Sequence, residues 1–248
     1  MSRLVILAGP SCAGKNALYK AMRRFYPDLV GSFQQLVLFN DRAPRPGEED
    51  GRDYFFRPRG EIEAMAGKDN HILANVRGDL QALNVTQIAT ILAQGKVAFY
   101  EGNSFVPVKM REMGFWQRFP TLSIFLSPLS MQEILYLKEA DKRVDLGRFV
   151  ADVQRRKLLH RTRKFKGNLS LPDLEEIERR SVAVILEMRE AWKFDYVLPV
   201  YDGEGHDNWD GFYYPIGSAW QAMTAFASLL RGESPARGAE KWPEDLVP

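Results

Sequence analysis

Behind the apolar run Leu4-Val5-Ile6-Leu7 stands Gly9-Pro10-Ser11-Cys12-Ala13-Gly14-Lys15-Asn16. Two glycines separated by four residues let successive backbone N–H groups turn toward one point. A helix opening at Lys15 adds positive potential there, and the lysine can reach the β- and γ-phosphates of a nucleotide. Strand, spacing and lysine coincide, which is what a phosphate-gripping loop requires; the competing reading is a glycine turn without a ligand. Most such loops continue with a hydroxyl that ligates Mg²⁺. Asn16 offers a neutral carbonyl oxygen on a longer arm, so direct or water-bridged contact with Mg²⁺ is the expectation at this position. Cys12 reads as a small loop residue rather than a nucleophile, because no activating base accompanies it.

A second stretch, "DRAPRPGEEDGRDYFF" (41–56), is built to hold an anion. Arg42 and Arg45 can fork onto phosphate oxygens, and Tyr54 can donate a phenolic hydrogen bond. Taken alone it could equally be a solvated basic turn. The third stretch is the basic block "RRKLLHRTRKFKG" (155–167), which includes Arg161 and Arg163. Its readings are a charge-neutralising lid, a solvated helix face, or a nucleic-acid patch. Few aromatics interleave the charges, and the net charge is only +2, which sets the nucleic-acid reading aside. "DGEGHDNWDG" (202–211) gathers acidic side chains but lacks calcium-loop spacing, and reads as an Asx-rich turn.

The elements that must position these groups follow from periodicity. Residues 4–7, 96–101, 121–127 and 194–200 read as short buried strands, and 16–26, 171–192 and 218–231 as helices. The last carries a stripe of Trp220, Met223, Phe226 and Leu230. Strands separated by helices predict an α/β fold with a mostly parallel sheet covered by helices. The tail 233–248, with three prolines and mixed charge, reads as extended or mobile. One cysteine in 248 residues excludes an internal disulfide framework and fits a reducing compartment. No apolar run has the length of a membrane span, and the N-terminus does not resemble a signal peptide. These features predict a cytoplasmic protein and leave its oligomeric state open.

Arg42, Pro44, Arg45, Pro46, Gly47, Glu48, Gly51, Asp53, Tyr54 and Phe56, some thirty residues after the loop, resemble a signature of the guanylate kinase family. "IERRSVAVILEMREAWKFDYVL" (177–198) resembles that family's helix and strand after its lid. The resemblance implies a P-loop kinase fold spanning 1–232, with an acceptor-binding subdomain at 37–95 and a lid region at 141–172. It implies ATP over Gly9 to Asn16 with Mg²⁺, and an acceptor phosphate on Arg42, Arg45 and Tyr54. Lys15, Arg180, Arg161 and Arg163 would then be the catalytic cations.

The same resemblance places an acceptor pocket on Leu38, Ile72, Gln81, Leu83, Glu101 and Asn103, where the family's guanine-reading residues are replaced. What it implies is γ-phosphate transfer from ATP to a small phosphomonoester, GMP by family default. Another nucleotide or a sugar phosphate is the alternative acceptor. A non-catalytic module binding a phosphorylated ligand is the alternative of another class.

Overall fold

The computed structural model describes residues 2–45, 47–68, 70–233 and 238–248. Pro46 of the anion-holding turn and the 234–237 stretch of the tail lie outside the described residues. In chain order the elements are β1 (Leu4–Ala8), α1 (Lys15–Phe25), α2 (Pro27–Val30), β2 (Phe33–Gln35), β3 (Leu38–Asn40), β4 (Tyr54–Phe56), α3 (Arg59–Glu63), β5 (His71–Val76), β6 (Asp79–Asn84), α4 (Thr86–Ala93), β7 (Val97–Gly102), α5 (Phe105–Glu112), β8 (Thr121–Ser127), α6 (Met131–Leu137), α7 (Leu146–Lys166), α8 (Leu171–Val182), α9 (Val184–Arg189), β9 (Tyr196–Pro199) and α10 (Gly217–Arg231). One sheet runs β2-β7-β1-β8-β9 and a second β4-β3-β6-β5. Within the first, β2 lies parallel to β7 and β8 parallel to β9. This is the α/β architecture, mostly parallel and flanked by helices, that the alternating pattern predicts. No helix among the described residues is long and apolar enough to cross a membrane.

The chain forms two compact units. The first comprises Met1–Ile6 with Ser32–Leu122. Its second sheet mixes a parallel β3–β4 pair with antiparallel β3–β6 and β5–β6 pairs. Side chains alternate across a strand, so register decides which of them share a face. Tyr54 pairs with Leu38 and Phe56 with Asn40; Asn40 pairs with Gln81, and Leu83 with Ile72. One face therefore carries Tyr54, Phe56, Leu38, Asn40, Gln81, Leu83 and Ile72. The other carries Leu80 and Ala82, packed with Ile62 of α3 and with Phe39, Met65 and Leu73.

The second unit comprises Leu7–Gly31 with Ser123–Pro248. The β8–β9 pair is pinned by Asp195, whose carboxylate accepts from the Ser123 N–H and hydroxyl, both at 2.8 Å. In α1, Leu18, Ala21 and Met22 form the buried face. The basic block lies on α7, a 21-residue helix capped by the Asp145 side chain and buried along Val150, Gln154 and Leu158. The helix expected over 171–192 is interrupted at Ala183. Ser181 Oγ there donates to the Ile177 carbonyl at 2.7 Å, a back-bond that bends helices.

Two further expectations are corrected. In α10 the buried stripe is Ala219, Ala222, Met223, Phe226 and Leu229, while Trp220 is 44% exposed. Small alanines let that face approach its neighbours more closely than the bulky stripe would. The described end of the tail, residues 238–248, is docked rather than mobile. Glu240 and Val197 exchange two backbone hydrogen bonds at 2.8 Å, and Trp242, Leu246 and Val247 are buried.

Candidate functional site

Physical constraints at Gly9–Asn16 explain its glycines. A Cβ on Gly9 would lie 2.6 Å from the Leu126 carbonyl oxygen. Gly14 has φ +88°, and a Cβ there would meet Trp209 at 2.9 Å and the Asp202 carbonyl at 3.0 Å. The loop thus closes onto the residues after β9 with no room for a side chain. Cys12 adopts φ 62°, a left-handed conformation uncommon outside glycine. Its Sγ packs with Leu158 and Ile177 and lies 3.6 Å from the Lys157 carbonyl. Burial pushes the thiol pKa up, so it is a packing residue. Gln154 of α7 donates to the Ser11 carbonyl.

Lys15 is buried, and its Nζ donates to the carbonyls of Gly9 at 2.8 Å and Pro10 at 2.6 Å. Asn16 is exposed at the start of α1. Beside it opens a cavity of about 400 Å³ lined by Asn16, Lys20, Arg161, Phe165, Trp209 and Asp210. That volume suits a small molecule.

The cations expected to neutralise a transferring phosphoryl group are not equivalent. Arg161 reaches Glu204 at 3.0 Å and faces the 400 Å³ cavity. Arg163, two residues on and so roughly 200° around the helix, lines a separate cavity of about 750 Å³ with Arg156 and His160. Arg180 hydrogen-bonds Glu176 one turn back through Nε at 2.7 Å, with its side chain 12% exposed. Lys157 donates to the Val200 carbonyl at 3.0 Å, and burial pulls its pKa down to about 8.

In the other unit, Arg42 forms a two-point pair with Glu48, each N–H···O at 2.7 Å. Its guanidinium lies 5.2 Å from the Tyr54 ring centre and 5.4 Å from that of Phe56. Glu48 also accepts from the Arg45 N–H at 2.8 Å. Burial opposes ionisation of Glu48, but the hydrogen bonds from Arg42 and Arg45 hold it below the usual carboxylate range. Burial raises the Tyr54 phenol, keeping it a protonated donor.

Leu38, Ile72 and Leu83 are buried at 5%, 0% and 0% exposure and contribute apolar surface only. Gln81 and Asn103 are buried too, joined by Asn103 Nδ2 donating to Gln81 Oε1 at 2.9 Å. Glu101 is half-buried at the end of β7.

Asn40 and Trp209 carry parts of these sites that the sequence did not single out, and Glu48 entered there only as one position of the family signature. Its pairing with Arg42, six residues away across the turn, was not legible, because Glu49 and Asp50 follow it directly. Asn40, fully buried at the edge of that turn, was visible only as an Asx residue before a loop. Trp209 carried no local signal, since its contact with Gly14 spans most of the chain.

A guanylate kinase family model matches residues 1–146. The guanylate kinase of Nocardia farcinica is 35% identical over 136 residues, covering 54% of this chain and 66% of that protein. That of Rhodococcus jostii is 40% identical over 104 residues, covering 40% of this chain and 47% of that protein. That of Corynebacterium jeikeium is 31% identical over 160 residues, covering 63% and 78%. The chain thus spans about half to two thirds of the first two relatives' lengths. The crystal structure of guanylate kinase from Anaplasma phagocytophilum shares the fold, with a TM-score of 0.51 at 17% identity, over 93% of this chain and 85% of that one. With a family model covering more than half of its residues, this chain belongs to the guanylate kinase family.

Proposed function

We propose that this chain is an ATP-dependent nucleotide kinase that transfers the γ-phosphate of ATP to a nucleoside monophosphate, with GMP as the acceptor to test first. The observation that carries this reading is the Gly9–Asn16 loop, strained into place between β1 and α1 with a buried lysine at its mouth. Family membership supports the acceptor. Lys15 would leave its two carbonyl partners for the β- and γ-phosphates, exchanging neutral ligands for anionic ones. Arg161, at the cavity beside α1, would be the α7 cation nearest a bound nucleotide. Arg180 would add charge from α8, after exchanging Glu176 for phosphate.

Among the described residues no group of three or more His, Cys, Asp or Glu side chains could hold a metal ion. The site therefore fits Mg²⁺ only as it comes with the nucleotide. Magnesium keeps most of its waters and takes one or two protein oxygens, and the exposed Asn16 side-chain carbonyl would supply one. The metal would neutralise charge on the β- and γ-phosphates. On the acceptor side Arg45 and Tyr54 would hold the phosphomonoester, and Arg42, fixed by Glu48, would set the shape of the turn. The acceptor phosphate is already ionised, so the attacking oxygen needs no general base.

ADP formation from Mg-ATP and GMP, with Lys15→Ala beside the wild type, tests this reading. Lys15-dependent turnover is expected; the same rate in both proteins would end the kinase assignment.

A further inference from the structure

A phosphate loop works through the direction of its peptide N–H groups, and one peptide of the Gly9–Asn16 loop is aimed from far along the chain. The C=O and N–H of a trans peptide lie in one plane and point opposite ways. The Ser11 carbonyl accepts from Gln154 Nε2 on α7, 143 residues away in sequence. No backbone N–H of the described residues donates to it. The Cys12 N–H, at the other end of that peptide, therefore points away from α7, and it donates to no described residue. The next N–H, that of Ala13, is spent on the Pro10 carbonyl at 3.2 Å. Cys12 holds φ 62°, and a left-handed residue in such a turn is what makes successive N–H groups converge on an anion.

Gln154 is fully buried, and its Oε1 has no hydrogen-bond partner among the described residues. Chemistry fixes which amide atom faces the loop: a carbonyl only accepts, so Nε2 must be turned to Ser11. The orphaned oxygen costs stability, and an apolar side chain of similar length would fill the same space without that cost. Holding α7 against the loop does not need the amide either. Leu158 packs on Cys12, and the Lys157 carbonyl lies 3.6 Å from Cys12 Sγ. What Gln154 alone supplies is the direction of the Ser11–Cys12 peptide. It lies beyond the residues that the family model matches, so family membership gives it no role.

We propose that Gln154 is a positioning residue for nucleotide binding: it turns the Ser11–Cys12 peptide so that the Cys12 N–H faces the phosphates and not the helix. The inference rests on the nucleotide reading proposed above. Gln154 touches no reacting group and acts through the loop backbone alone. Without its donor the Ser11 carbonyl has no partner, and the peptide is free to rotate and carry the N–H out of line. The hydrogen bond lost is one to an anionic oxygen, which is worth more than one between neutral groups.

Calorimetric titration of the full chain with Mg-ATP, without an acceptor, tests this beside thermal unfolding. Gln154→Met keeps length and burial but removes the donor. Its Kd for Mg-ATP should rise about tenfold. Its melting temperature should barely move, because the orphaned oxygen goes with the amide. Gln154→Glu supplies a donor only while its carboxyl is protonated, and burial raises that titration above the ordinary carboxylate range. Followed from about pH 5 to 9, its affinity relative to the wild type should recover toward acid. That profile decides the matter if the methionine variant does not fold. Two folded variants that bind Mg-ATP like the wild type would overturn the proposal, as would a Gln154→Glu affinity in constant ratio to the wild type across pH. Weaker Mg-ATP binding by Gln154→Met, in a protein that forms no ADP from GMP, would sink the kinase reading and support the positioning role. A wild type that does not bind Mg-ATP would overturn both.

Discussion

The two phosphate grips proposed for this chain hold their cations in opposite ways. Lys15 rests on two neutral carbonyls of its own loop, Gly9 and Pro10. Arg42 is locked into a two-point pair with a carboxylate and lies over Tyr54 and Phe56, with only 12% of its side chain exposed. An anionic oxygen attracts an ammonium through full charge on charge, a neutral carbonyl only through its dipole. A phosphate can therefore draw Lys15 away from its resting partners, whereas displacing Glu48 from Arg42 trades one anion for another. On the proposed reading the loop would keep a movable cation and the Arg42 turn a fixed one.

The first way to break that contrast is Lys15→Ala. Removing a group that meets developing charge typically costs two to three orders of magnitude in rate. ADP formation should fall at least about a hundredfold. Thermal unfolding should move by only a few degrees, because the two carbonyls lose a single partner. A large loss of stability would mean that Lys15 is a structural post as well.

Glu48→Gln probes the opposite grip and should act on stability. It leaves the Arg42 charge half-paired in a largely buried turn, for a loss of about 2 kcal/mol by urea unfolding, discounted for partial exposure. The pH sign follows from the depressed Glu48 pKa. Its contribution is complete above the unfolded carboxylate pKa and fades as pH falls through the folded one. The wild type should lose stability there, and the variant should lose less. Equal acid limbs would show that the pair is worth nothing.

Gly14→Ala asks whether the loop itself is as fixed as the acceptor turn. The new Cβ would face Trp209 at 2.9 Å and the Asp202 carbonyl at 3.0 Å, at φ +88°. Left-handed strain alone is about 1–2 kcal/mol for a non-glycine residue. A drop in unfolding free energy of that size is expected. No change would mean that the segment after β9 yields easily, and that the loop is soft.

These contrasts also explain what the sequence could disclose. Gly9, Gly14 and Lys15 act through contiguous backbone, so spacing behind an apolar strand reveals both the fold and the loop. The acceptor face is assembled from residues on β3, β4, β5 and β6, and only register places Asn40 opposite Gln81. A one-residue slip would move every one of them to the other face. The chemistry at Arg42 and Arg45 was legible because the turn is local. The bond from Asn103 to Gln81 was not, because it joins β6 to the residue after β7 across 22 positions. The docking of Trp242 was hidden for the same reason: the proline-rich composition of the tail speaks against local structure but not against pairing with β9.

The smallest effect expected is at Lys157, which carries the same contrast into α7. Like Lys15 it is held by a carbonyl, that of Val200 at 3.0 Å, and not by a carboxylate. A neutral oxygen does not offset burial of a charge, and the pKa falls from the ordinary 10.5 to about 8. Arg42, buried to a similar end but paired with Glu48, shifts the other way. Between about pH 8 and 10.5 the unfolded chain holds the Lys157 proton and the folded chain does not. Unfolding then takes up a proton, so this group makes stability rise with pH across that window. The side chain is half-buried, and the gain is on the order of 1 kcal/mol after the remaining solvent screening is taken off. Lys157→Met should lack the rise, and urea midpoints measured at either end of the window read the difference. Parallel pH profiles for the two proteins would show that a carbonyl can hold a cation as well as a carboxylate does, and the distinction between the two grips would fail at its root.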